Sequence, residues 1–275
     1  MRMIRRLLSL LALTLAIGLV GCSSLTLAYN QLPTLAGFWI DGYLDLDRAQ
    51  ARQLKAQLQT WQAWHRREEL PRLAALLRQA QAALDGGVTH EELTALERGA
   101  RDSVERSLQH AGPLAAPLLA SLRPAQWQHL QQRFDKKLAE WREKQSGEDG
   151  REERADKYVQ LLERWLGDGL ARTTRRNAHA DAEAWRVDIP VLAQARIARQ
   201  TQTITALQAW ARQDYAAGNA LLVRNMQPMP SEQAYQDQVV ASVLKLLNGL
   251  SPAERQRVQA HWAEWIGEVQ KLQNG

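Results

Sequence analysis

The sequence predicts an all-α protein, a multi-helix bundle or irregular helical array behind a cleaved signal peptide. Three observations carry that expectation. Ala, Leu, Gln, Glu and Arg dominate, no stretch alternates with the two-residue period of a strand, and apolar residues recur at steps of three and four. The 275 residues are 45% hydrophobic and 24% charged, the balance of a chain that buries a core, which excludes a disordered tail or linker.

Residues 1–21 read as a lipoprotein signal peptide. Arg2, Arg5 and Arg6 precede an apolar run from Leu7 to Val20, which falls short of the roughly 20 residues a helix needs to span the hydrocarbon core. The run ends Leu19-Val20-Gly21-Cys22, the pattern of a bacterial lipobox. Small residues let an extended backbone enter the signal peptidase, and the Cys22 thiol is the nucleophile for thioether formation. Cys22 is therefore the expected lipid attachment point and mature N-terminus, and the partner it implies is the membrane. Each buried methylene of palmitate-like acyl chains contributes about 0.8 kcal/mol to membrane residence. No other cysteine is present, which excludes disulfides, CxxC redox chemistry and cysteine metal sites. Losing the three leader arginines lowers the formal charge from +5 to +2. Ser23 stands where the common inner-membrane retention signal has Asp, so the expected address is the inner leaflet of the outer membrane, facing the periplasm.

Residues 22–45 form the expected lipid-anchored N-terminal segment, in which Phe38 and Trp39 are candidates for the membrane interface because an amphipathic indole favours the headgroup level. Helices are then expected at 47–69, 71–84 and 89–109, and from Pro124, where Trp127, Leu130, Phe134, Leu138 and Trp141 form one stripe. Further helices are expected at 151–166, 171–187, 191–223 and 231–247. The last segment carries Val258, Trp262, Trp265, Val269 and Leu272 at helical spacing. Breaks are expected at Asp85-Gly86-Gly87, Gly112-Pro113, Asp188-Ile189-Pro190 and Gln227-Pro228-Met229-Pro230, because glycine frees a helix end and proline forbids continuation. The polar stretch 146–150 separates an N-terminal half, 46–145, from a C-terminal half, 151–275, within one continuous domain. Most of the ten tryptophans are expected to fill gaps between Ala-rich helices.

The densest polar cluster is His65-Arg66-Arg67-Glu68-Glu69, just before Leu70-Pro71. Pro71 removes one amide and disturbs the preceding turn, so a kink there would expose the cluster as a binding site. Arg66 and Arg67 would grip a phosphate or carboxylate, with His65 poised to titrate; a solvated face of paired charges explains the same residues. Asp41 and Asp45 are candidate binding groups, able to pair with Arg66 or Arg67 or to serve helix corners. A metal site is not expected, since HExxH, EF-hand and zinc spacings all fail, and neither is a cofactor, since no P-loop, GxGxxG or GxSxG occurs. Arg172, Arg175 and Arg176 make a basic patch, yet acids are interleaved, so nucleic acid is excluded as a partner.

Four segments share one helix-start grammar: Leu46-Asp47 with Gln50, Val88-Thr89 with Glu92, Leu122-Arg123 with Gln126, and Leu250-Ser251 with Glu254. Capping boxes explain three of them, and Arg123 cannot cap with its side chain. The pattern resembles the LTxxQ motif of small periplasmic stress chaperones, which implies a helical build that binds unfolded clients. A closer resemblance rests on the lipobox, Tyr29-Asn30-Gln31-Leu32, Tyr43-Leu44-Asp45-Leu46-Asp47, the run WHRREELPR from Trp64 to Arg72, LRPAQ from Leu122 and ERWLG from Glu163. These residues resemble a proteobacterial lipoprotein family, domain-of-unknown-function family 6279. That resemblance implies an envelope lipoprotein and supplies no catalytic residues. The expected role is a non-catalytic binding or scaffolding protein with an envelope protein, glycan or lipid as partner. The alternatives are a chaperone-like stress protein and an enzyme using His65, Glu68 and Glu69.

Overall fold

The computed structural model describes residues 21–145 and 147–274, with side chains from Thr26 onward except those of Glu148 and Asn274. The expected leader through residue 20 and the Cys22 side chain lie outside the described residues. The helices run in the order α1 (Gly21–Asn30), α2 (Leu32–Leu44), α3 (Arg48–Gly86), α4 (His90–Ala120), α5 (Pro124–Gln145), α6 (Gly147–Leu166), α7 (Arg172–Glu183), α8 (Ile189–Ala211) and α9 (Tyr215–Asn225). A 3-10 turn (Pro230–Glu232) then leads to α10 (Gln233–Gly249) and α11 (Pro252–Asn274). Among the described residues there is no strand, and the all-α expectation holds.

The 39-residue α3, roughly 58 Å at the helical rise, is the spine, with α2, α4 and α11 packed along it. Its end contributes Leu84 to a core shared with Tyr158 and Leu162 of α6, Leu246 of α10 and Trp262 of α11. Its middle contributes Trp61, Leu70 and Leu73 to a second core with Tyr29 of α1 and Val269 and Leu272 of α11. A third core joins α2, α4, α5, α8 and α9 around Tyr43, Leu119, Leu130 and Trp210. Helices on both sides of residue 146 thus contribute to the same core, with α11 returning to α3.

Two expected breaks are absent, and one break falls where none was expected. The helix runs through Pro71, because Leu70, Leu73 and Ala74 are buried on both sides of it and their packing outweighs one missing amide. The Arg72 Nη1 also donates to the Glu68 carbonyl at 2.8 Å. Gly112-Pro113 lies inside α4, and Gly112 serves a close approach, since a Cβ there would come within 3.1 Å of the Trp210 indole. The expected helix 191–223 is instead two, α8 and α9. Gln213 turns the chain at φ 64°, and Asp214 caps α9 by accepting the Ala217 amide at 3.1 Å.

The anchor-proximal segment is helical as well. Its break at Gln31 follows from Pro33, which has no amide for the Tyr29 carbonyl four residues back. The Gln62 side-chain amide of α3 donates to that carbonyl instead. This bond fixes α1 and α2 on the spine.

Candidate functional site

The run from Trp64 to Arg72 distributes its side chains around α3. His65 and Glu69, four residues apart, point inward with no exposed surface, whereas Arg67 and Glu68 face solvent. Glu69 accepts Ser103 Oγ at 2.7 Å and Arg106 Nε and Nη2 at 2.8 and 3.0 Å, both from α4. It also accepts Arg72 Nη1 at 2.9 Å. Burial alone would push this carboxyl up, but the hydrogen bonds from Arg106 and Ser103 and the charges of Arg106 and Arg72 hold it below the usual range.

His65 is stacked on Trp61, ring centroids 4.7 Å apart, and its Nδ1 lies 3.0 Å from the Tyr29 hydroxyl. Burial drives His65 down to about 4 against the opposing charge of Glu69, so the ring is neutral at neutral pH. The same burial raises the Tyr29 hydroxyl far above its ordinary value, against the nearby Arg66 charge. His65 Nε2 has no hydrogen-bond partner among the described residues. Arg66 donates from Nη2 to Asn30 Oδ1 at 2.8 Å and lies over the Tyr29 ring at 5.5 Å. Trp64 stacks on His110 of α4 at 4.2 Å. The segment Tyr29-Asn30 and the run WHRREELPR, separate signals in the sequence, are therefore two halves of one junction.

Asp41 and Asp45 sit elsewhere. Asp41 Oδ1 accepts the Leu46 amide at 2.8 Å and closes the corner from α2 to α3. Asp45 occupies the left-handed region at φ 49° as the C-cap of α2. Neither is an ion-pair partner of Arg66 or Arg67 among the described residues. Beside them the starts of α3 and α5 interlock. Asp47 caps α3 in a complete capping box and pairs with Arg123 at 3.0 Å. Gln126 Nε2 donates to Gln50 Oε1 at 2.8 Å and to the Asp45 carbonyl at 2.8 Å. Gln126 Oε1 accepts the Arg123 amide at 2.9 Å, so the third copy of the start grammar forms half of a box without a side-chain cap.

The fourth copy does double duty. Glu254 accepts Ser251 Oγ at 2.6 Å at the start of α11, and also the Ala171 amide at 2.8 Å and Thr174 Oγ1 at 2.6 Å at the start of α7. Burial would raise this carboxyl, yet these donors bring it down to about 2.

Phe38 and Trp39 are 74% and 49% exposed, joined by Leu27 at 63% and Leu35 at 55%. Leu27 and Leu35 escape a sequence reading that assigns no helix to 22–45, because only helical spacing aligns Leu35 with Phe38 and Trp39. Tyr29, Gln62, Ser103 and Arg106 escape it too, since their roles arise only when α1 and α4 dock on α3. Among the described residues no group of three or more His, Cys, Asp or Glu could hold a metal ion, and no helix is long and apolar enough to cross a membrane. A cleft of about 530 Å³ between α5 and α8 is lined mostly by apolar groups such as Ile189 and Val191, together with Arg142.

The model of the family of unknown function DUF6279 matches residues 42–233, which includes the whole of WHRREELPR and extends well past ERWLG. The match covers more than half of the chain, and the protein belongs to that family. No curated protein and no solved structure matches the chain.

Proposed function

We propose that this member of DUF6279 is a lipid-anchored, periplasm-facing envelope protein that works by binding or scaffolding and not by catalysis. One contrast supports the reading. The densest polar cluster is engaged internally, while the large apolar side chains left exposed among the described residues all sit on α1 and α2, directly after Cys22. A general acid or base must reach its substrate. His65 and Glu69 are enclosed, the first between Trp61 and Tyr29, the second by Ser103, Arg106 and Arg72. They hold α1, α3 and α4 together, and leave the exposed Arg67 and Glu68 as the part of the cluster able to meet an envelope protein, glycan or lipid.

The test has two readouts. Intact-mass measurement of the protein extracted from membranes is expected to show an acylated Cys22 at the N-terminus, and Cys22→Ala to leave the leader uncleaved. Photoreactive residues at positions 67 and 68 are expected to capture a dominant partner in intact cells. A mature chain without acyl groups, or one recovered wholly in the soluble periplasmic fraction, overturns the reading.

A further inference from the structure

We propose that the apolar face of α1 and α2 lies on the leaflet that holds the anchor, and that Arg66 and Arg133 pair there with the phosphates of anionic phospholipids. The inference rests on the lipid-anchor reading and adds the surface, its orientation and the lipid class.

The face is one-sided. Leu35, Phe38 and Trp39 share one side of α2 at steps of three and one, and Gly42 continues that side with no side chain. Leu32, Pro33, Ala36, Tyr43 and Leu44 are buried beside it, on the side turned to the core. The single charge within α2, Asp41, is tied to the Leu46 amide, and Asp45 and Asp47 lie past the end of the stripe. An amphipathic helix of this kind settles in the headgroup region with its apolar side about 5–10 Å deep, and Trp39 suits that level.

Two arginines from different helices bracket the stripe. Arg66 of α3 lies over Tyr29 at 5.5 Å, and Arg133 of α5 lies over Tyr43 at 5.8 Å. The tyrosines are fourteen positions apart, one on α1 and one on α2. Each arginine is next to an end of the stripe: Arg66 is bonded to Asn30, three residues after Leu27, and the Tyr43 ring lies 5.0 Å from that of Trp39. Neither guanidinium makes an ion pair with a carboxylate among the described residues. Each guanidinium lies over a tyrosine ring beside the apolar face with no carboxylate to neutralise it, which leaves its charge available to a headgroup, and a guanidinium matches a phosphate bidentately. A bilayer, and not a second protein, is the occupant chosen by continuity: Leu27 lies five residues after Cys22 on the same helix, so the acyl chains hold the stripe against the leaflet.

Acylated Cys22 has no free thiol, so Phe38→Cys gives the full mature lipoprotein a unique labelling position for an environment-sensitive fluorophore. Thr173→Cys, exposed on α7, is the control. In vesicles with brominated acyl chains, quenching at 38 is expected to exceed that at 173 several-fold. For the Cys22→Ser mature chain, partitioning onto phosphatidylglycerol-containing vesicles is expected to fall about five-fold for each of Arg66→Gln and Arg133→Gln. Binding to pure phosphatidylcholine should be unchanged. Because Arg66 also holds Asn30, Arg133→Gln with a wild-type melting temperature is the decisive variant. A probe at 38 that stays in water, or one shielded without quenching because protein covers it, overturns the proposal while the anchor stands. Equal partitioning onto both lipids overturns the role of the arginines. Failure of the Cys22-acylated protein to associate with any vesicle instead overturns the anchor reading itself.

Discussion

Glu69→Gln tests whether the cluster in α3 is a structural clamp. The substitution keeps size and one acceptor, so Ser103 retains a partner, but the new amide donors face Arg106 and Arg72, which now bond to a neutral group. Removing one partner of a buried ion pair costs about 3–5 kcal/mol. Here the Arg106 and Arg72 side chains are 35% and 47% exposed and recover part of that by hydration, which brings the expected loss to about 2–3 kcal/mol. At about 2–4 °C per kcal/mol for a chain of this length, the melting temperature should drop by about 4–12 °C. The folded-state carboxyl titrates below its unfolded value, so its stabilisation is present above the unfolded pKa and is lost as pH falls through the folded one. The gap between variant and wild type should therefore close in acid. Calorimetry of the wild type, Glu69→Gln, Arg106→Gln and the double variant measures the coupling directly. A Glu69→Gln protein within about 0.5 kcal/mol of the wild type, or a coupling near zero, would refute the clamp.

Three further outcomes are expected. His65 is held neutral with a folded pKa of about 4, so the unfolded chain takes up a proton that the folded one refuses. Stability should fall by about 3 kcal/mol as pH drops from about 6.5 to about 4, and chemical denaturation of His65→Leu should show that slope removed. Glu254, brought down to about 2 by the two helix starts it caps, stabilises above its unfolded pKa and stops doing so as pH falls through about 2. Glu254→Gln should cost about 2–3 kcal/mol at neutral pH, with faster hydrogen exchange at residues 171–174; unchanged exchange there would remove the double cap. A Cβ on Gly218 would collide with the Trp210 ring. Gly218→Ala should therefore destabilise by about 1–3 kcal/mol, despite its better helix propensity, and a neutral or stabilising result in a melting experiment would mean that the indole has room to shift.

What the sequence discloses here is what short range controls. The stripes of α5 and α11 fall where their spacing puts them: Leu130, Leu138 and Trp141 are buried on one helix and Val258, Trp262, Val269 and Leu272 on the other. The starts at Asp47, Thr89 and Ser251 form hydrogen-bonded caps, because a cap is decided within four residues. Proline and glycine are harder to interpret locally. Pro71 and Gly112-Pro113 look like stops, yet α3 and α4 run through them, because core packing on either side decides the matter. Pro33 shows the opposite case, where the same missing amide does break the helix and a distant Gln62 takes over the orphaned carbonyl.

The candidate site shows the same division with a functional consequence. His65, Glu68 and Glu69 fall within five consecutive residues and look like one reagent set, but the helical turn sends Glu68 to solvent and the other two inward. What each inward group does is then set by residues far along the chain: Tyr29 lies 36 positions before His65, and Arg106 lies 37 after Glu69. A run of charges cannot disclose such partners, since nothing local distinguishes a carboxylate awaiting a substrate from one awaiting an arginine. The same docking that encloses these groups places α1 and α2 against α3 with their apolar side turned outward. Had Tyr29 and Gln62 not engaged each other, Leu35, Phe38 and Trp39 would have no fixed orientation relative to Arg66 and Arg133. The polar junction is thus what gives the apolar face its geometry, and disturbing the first should disorder the second.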